Sequence, residues 1–237
     1  MSADTEGRTT MTTLCWIGHS AFTLAADDKL LVIDPFITGN PSATISADDI
    51  SPTTILVTHG HDDHVGDAPA LAHRTGAPVI AIVEVAGLIA KLGAPTTLDP
   101  NYGGTVQFDG GSVKLTPAWH TSTHSSSGPV GQPAGMVVRF GGKTIYFAGD
   151  TCLFLDMQLI GDEELDVAVI PIGGHYTMDP IDAVRAVKFL RPRFVVPCHY
   201  NTFPLLHQDA EAFKKNVEEA TAAKVIVLEP GGSWDVE

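Results

Sequence analysis

Basic residues are scarce in this chain. Of its 237 residues, 14 are Lys or Arg against 28 Asp or Glu, a formal net charge of −14, and Lys and Arg cluster nowhere. Such a surface repels phosphate backbones and anionic membranes, so neither nucleic acid nor a membrane is an expected partner. The acidity itself reads as solubility. Cysteine is nearly absent too: Cys15, Cys152 and Cys198 are odd in number, far apart and outside any C-x-x-C pair. This pattern argues against disulfides and for small buried thiols in a reducing cytosol. No stretch approaches the ~18 apolar residues a membrane span needs, and the opening MSADTEGRTT has no apolar run. A cytoplasmic location is the expectation.

Core-forming material is abundant by contrast. Hydrophobic residues make up 44% of the chain and aromatics only 7%, so aliphatic packing must dominate. No linker divides the sequence, and its length suits one large α/β domain. We expect a single domain over 12–237, preceded by a disordered extension over 1–11, with Met11 a candidate alternative start.

Short β-branched runs bounded by Gly, Pro, Asn and Asp predict strands. Examples are TLCWIGHS, LLVIDPF, TILVTHG, KTIYFAGD, VAVIPIG, RFVVPCH and KVIVLEP. Helical spacing appears in DAPALAHRTG, in EVAGLIAKLG with Gly93 just past its end, in DPIDAVRAVKFLRP with Pro180 at N1, and in QDAEAFKKNVEEATAA. Each helix is amphipathic and so covers one outer face of a sheet. The order predicts two sheets with helices outside them. The Ser-rich stretch 121–135 is the only long loop, a common place for function.

The segment ILVTHGHDDHVGD, residues 55–67, carries three histidines and three aspartates at the end of a predicted strand. His59 and His61, two apart in extended chain, project to one side and can share an ion. Asp63 and His64 follow at the turn into a helix starting near Asp67 and can supply a second. Asp62 reads as a solvent-facing spacer. Three further strands end in a potential ligand, His120, Asp150 and His199, and ligands at strand ends on one sheet edge can converge. His and carboxylate donors suit zinc, iron or manganese.

These motifs resemble the metallo-β-lactamase fold superfamily, whose H-x-H-x-D-H signature stands here as His59, His61, Asp63 and His64. GHS at 18–20, IDPFITGNP at 33–41, AGDT at 148–151 and VVPCHYNTFP at 195–204 resemble, more narrowly, its uncharacterised metal-dependent hydrolase branch, related to the L-ascorbate-6-phosphate lactonases. The resemblance implies a four-layer αββα sandwich: two mixed sheets with helices on the outer faces. It implies that His59, His61 and His120 bind a first divalent ion, that Asp63, His64 and His199 bind a second, and that Asp150 bridges them. Zinc is the first expectation, with manganese, iron or nickel as alternatives. Asp34 matches a structural aspartate that braces the metal-binding loop. His120 and His124 lie four apart, and either can be the third histidine of the first site; His120 directly follows the strand and is favoured.

Two ions roughly 3.5–4 Å apart can share a water and make hydroxide available near neutral pH, so hydrolysis of an ester, lactone or phosphodiester centre in a small molecule is the expected activity. Asp63 would orient the nucleophile. His19, His175 and His124 are candidates for serving the leaving group, while His73 and His207 read as surface residues. The competing readings are a mono- or di-iron oxidoreductase on the same fold and a non-catalytic metal-binding module. Self-association into a homo-oligomer is left open.

Overall fold

The computed structural model describes residues 11–237, so the expected extension over 1–11 lies, Met11 apart, outside the described residues. Two seven-stranded sheets form the centre. The first runs in the order Ser233–Asp235, Thr12–Gly18, Ala21–Ala26, Lys29–Ile33, Thr54–Leu56, Val79–Ile80 and Thr97–Leu98. The second runs Lys224–Val225, Phe194–Cys198, Val167–Pro171, Lys143–Phe147, Ala134–Phe140, Gly111–Pro117 and Thr105–Phe108. In each sheet one half is antiparallel and the other parallel, with the change at Lys29–Ile33/Thr54–Leu56 in the first and at Lys143–Phe147/Val167–Pro171 in the second. Both sheets are therefore mixed.

The sequence explains the difference between the halves. Val167–Pro171 is apolar and buried throughout, as a parallel strand covered on both faces must be, whereas Thr12–Gly18 begins with alternating burial. The sheets pack face to face, with Phe22 of the first 6.0 Å from Phe147 of the second between ring centroids. Phe22 is fully buried, and truncating such a ring costs about 3–5 kcal/mol. At one end of this interface the Ala134 amide donates to the Thr58 carbonyl at 2.9 Å, tying the second sheet to the loop after Thr54–Leu56.

Helices cover the outer faces. Ala68–Thr75 and Val83–Lys91 lie beside the parallel half of the first sheet, and Pro180–Leu190 and Ala210–Ala220 beside that of the second. Pro180 stands at the first helical position behind an Asp179 cap, and Gly93 follows the Leu92 cap with φ +113°, both as their residue types require. Among the described residues no helix is long and apolar enough to cross a membrane. Three expectations need correcting. KVIVLEP forms a strand only over Lys224–Val225, Asp63 and His64 lie in a separate short helix, Asp62–Val65, and Cys152 is exposed rather than buried.

Candidate metal centre

Strands of both sheets end at one rim, and the polar loops that follow them meet there. Thr54–Leu56, Gly111–Pro117 and Lys143–Phe147 each run on for two residues before His59, His120 and Asp150, and His199 directly follows Phe194–Cys198. His19, Asp34 and His199 all adopt left-handed backbone, φ +56°, +44° and +54°. Non-glycine residues hold that conformation when the surroundings over-determine it, a condition typical of functional sites.

The predicted ligands are drawn together. His59, His61 and His120 form one group whose donor atoms lie within 4.8 Å of one another, and His19, Asp63, His64 and His199 form a second. Asp150 stands between them: its Oδ2 is 3.0 Å from His199 Nε2 and 3.6 Å from His120 Nε2, and its Oδ1 is 3.5 Å from His64 Nε2.

Asp34 sets the orientation of two of these rings. Its carboxylate accepts from the Thr58 amide at 2.8 Å, from Thr58 Oγ1 at 2.7 Å and from His64 Nδ1 at 2.8 Å. Since Thr58 Oγ1 donates to Asp34, His59 Nδ1 donates in turn to Thr58 at 3.1 Å. Both imidazoles are thereby oriented with Nε2 facing the cluster. His64 Nε2 and Asp150 Oδ1 are buried with no hydrogen-bond partner, an arrangement that costs free energy unless a cation satisfies it.

The electrostatics agree. Burial lowers the pKa of His59, His61 and His120, keeping them neutral and able to bind metal. Burial also disfavours charge on His64, yet the carboxylates of Asp150 and Asp34 hold its pKa well above the ordinary value. Burial would raise Asp150, but His199 and His64 hold it well below the usual carboxylate range. The position between these groups favours positive charge, and the donor set fits divalent ions.

The remaining candidates are placed differently. His19 is fully buried; its Nε2 donates to Asp63 Oδ2 at 3.2 Å, its Nδ1 accepts from Thr202 at 3.0 Å, and burial pushes its pKa down to about 4. His175 is exposed, its ring edge-on to Tyr176 at 4.6 Å, and it joins neither group. A turn closed by the Gly174 amide on the Met178 carbonyl turns it outward. His124 is also outside both groups, bonded to Ser126 at 2.8 Å and 3.3 Å from Asp62. Asp62 is no mere spacer: its carboxylate accepts from Ser125 Oγ at 2.6 Å and from the Ser125 amide at 3.1 Å, anchoring the Ser-rich loop. Ser122 fastens the same loop to the metal-binding segment by accepting from the Gly60 amide at 2.9 Å. His73 and His207 are exposed, as expected.

A cleft of about 550 Å³ opens over the cluster, with His61, Asp63, His120, Asp150 and His199 in its lining. Neither it nor the adjoining cleft beside Phe36 and Asp67 has a Lys or Arg among its lining residues. Tyr176 stands neither at a strand end nor in a ligand motif and so escapes sequence reasoning, and the bond of Thr202, inside VVPCHYNTFP, to His19 has no signal in the sequence.

Comparison with known proteins bears on this site. Residues 13–199 match the profile of a family described as the beta-lactamase superfamily domain. The chain is 47% identical over 226 residues to the UPF0173 metal-dependent hydrolase of Pelotomaculum thermopropionicum, covering 93% of this chain and 98% of that one. It is 48% identical over 204 residues to a Thermus thermophilus protein of the same description, covering 86% and 90%. Among solved structures it is similar to Igni18, a novel metallo hydrolase from the archaeon Ignicoccus hospitalis, with 41% identity, a TM-score of 0.87 and coverage of 96% of this chain and 99% of that one. The cluster of histidines around buried carboxylates, the paired mixed sheets and these matches together lead to one conclusion: the chain belongs to the beta-lactamase superfamily domain family and is a metal-dependent hydrolase of the metallo-β-lactamase fold.

Proposed function

We propose that this hydrolase is dinuclear and cleaves an ester, lactone or phosphodiester centre of a small molecule. The observation that carries the reading is the position of Asp150, whose two oxygens reach histidines of both donor groups. His59, His61 and His120 make one set and Asp63, His64 and His199 the other, with Asp150 common to both. Divalent ions, when bound, supply Lewis acidity and a water acidified towards neutrality.

The chain's own residues supply orientation. Asp34 holds the His64 and His59 rings, and Thr202 holds His19. Asp63 lines the cleft and orients the attacking water, with one oxygen pinned by His19. His19, being fully buried, acts through Asp63 and is a positioning residue rather than a proton donor to the leaving group. The absence of Lys and Arg from the lining supports a substrate of little negative charge.

Elemental analysis of protein purified without added metal, followed by an ester, lactone, thioester and phosphodiester panel on the same sample, tests the proposal. It requires two ions per chain and turnover that disappears in Asp63→Ala and His64→Ala. Iron content with oxygen consumption and no hydrolysis would mark the iron oxidoreductase instead.

A further inference from the structure

We propose that the substrate is a neutral carboxylic ester or lactone whose acyl side is apolar, and that this side lies against a wall formed by Tyr176, Phe203, Pro204 and Leu205. The inference rests on the hydrolytic reading above. The four residues line the same cleft as His61, Asp63, His120, Asp150 and His199. Tyr176 is 52% exposed, Leu205 59% and Phe203 36%. A single exposed apolar side chain is ordinary, but several converging on the rim of a metal cluster form a binding surface.

The wall is built by its backbone. In the turn Pro204–Leu206, Leu206 is fully buried while Leu205 faces out, and the Asn201 amide donates to the Leu206 carbonyl at 2.9 Å. Asn201 also bonds Gln208 twice, closing the loop. Tyr176 rides on the turn closed between Gly174 and Met178. The Phe203 ring lies 5.5 Å from that of His19, which fixes it against the cluster.

Charge argues for the same occupant. Beyond the metal donors the one ionisable group lining the cleft is the Tyr176 phenol, so an anionic tail lying on the wall would meet no Lys or Arg. In the reaction the water oxygen joins the acyl carbon, the acyl–oxygen bond breaks, and the proton passes to the departing oxygen. An ester leaves as a carboxylic acid and an alcohol, a lactone as a single hydroxy acid.

The test has a binding arm and a turnover arm, both on metal-loaded protein. In the first, acetohydroxamate, butyrohydroxamate and hexanohydroxamate are titrated by calorimetry. Affinity should rise up to about fourfold per added methylene, and Leu205→Ser, at an exposed position, should make that dependence shallower without changing Tm. Affinity independent of chain length, or an unchanged slope in the variant, overturns the wall. In the second, 4-nitrophenyl hexanoate should be hydrolysed at least about tenfold better than the 4-nitrophenyl half ester of adipate, whose tail ends in a buried charge; the reverse preference also overturns it. Rising affinity with no turnover of either ester would sustain the wall and count against ester hydrolysis, so the two failures are distinguishable.

Discussion

His64 and Asp34 meet at 2.8 Å, Nδ1 to Oδ2, and the same carboxylate takes both the amide and the hydroxyl of Thr58. The contact turns His64 Nε2 towards Asp150. Asp34→Asn keeps the size but can present a donor where His64 needs an acceptor. Metal affinity should fall by about 10–100-fold, the usual loss when such a partner is removed. Competition with a chromophoric chelator measures it, and unaltered affinity would show that Asp34 serves the fold alone.

His19 pins Asp63 from behind the cleft. Burial pushes the Asp63 carboxyl up, but the His19 hydrogen bond and the charges of His64 and His19 hold it below its ordinary value. His19→Gln should lower kcat by about 10–100-fold with little change in KM. A purely structural histidine would lower Tm and leave kcat per folded enzyme unchanged.

Much of this centre was legible because donors stand where apolar strands stop: His59, His120, Asp150 and His199 needed only strand ends that converge. Asp62 was not legible, since its partners Ser125 and His124 lie more than sixty residues away. The short helix Asp62–Val65 was hidden for a similar reason. It ends at Gly66, φ +40°, where a Cβ would come within 2.8 Å of Phe36 Cα, a contact made by the distant 33–41 loop. The strand Ser233–Asp235 pairs with Thr12–Gly18 across nearly the whole chain, and its three residues carry no period of their own. For His175 a ring after two glycines can face either way, and the turn between Gly174 and Met178 leaves it exposed.

Removing the Asp62 carboxylate should release the Ser-rich loop while leaving the metal donors intact. For Asp62→Ala we expect faster amide exchange across 121–131, an unchanged metal content and a KM raised about three- to tenfold, the equivalent of one or two lost hydrogen bonds. Exchange unchanged from the parent protein would mean that Ser122 alone holds the loop.

Tyr146 offers a pH test remote from the cluster. It is fully buried, its hydroxyl has no hydrogen-bond partner, and burial pushes its phenol above the ordinary value of 10.0. A proton held more tightly when folded stabilises the protein fully below pH 10 and is lost as a stabiliser above it. Tyr146→Phe should therefore be near neutral at pH 7 and should move the alkaline unfolding midpoint upward, followed by phenolate absorbance and circular dichroism.

The dinuclear reading requires two divalent ions that share Asp150. Metal per folded chain, measured by mass spectrometry on the parent protein, His120→Ala and His199→Ala, tests it most directly. We predict two ions in the parent, one in each variant, and loss of hydrolysis in both. Saturation of the parent at a single ion, or two ions retained after either substitution, would contradict it.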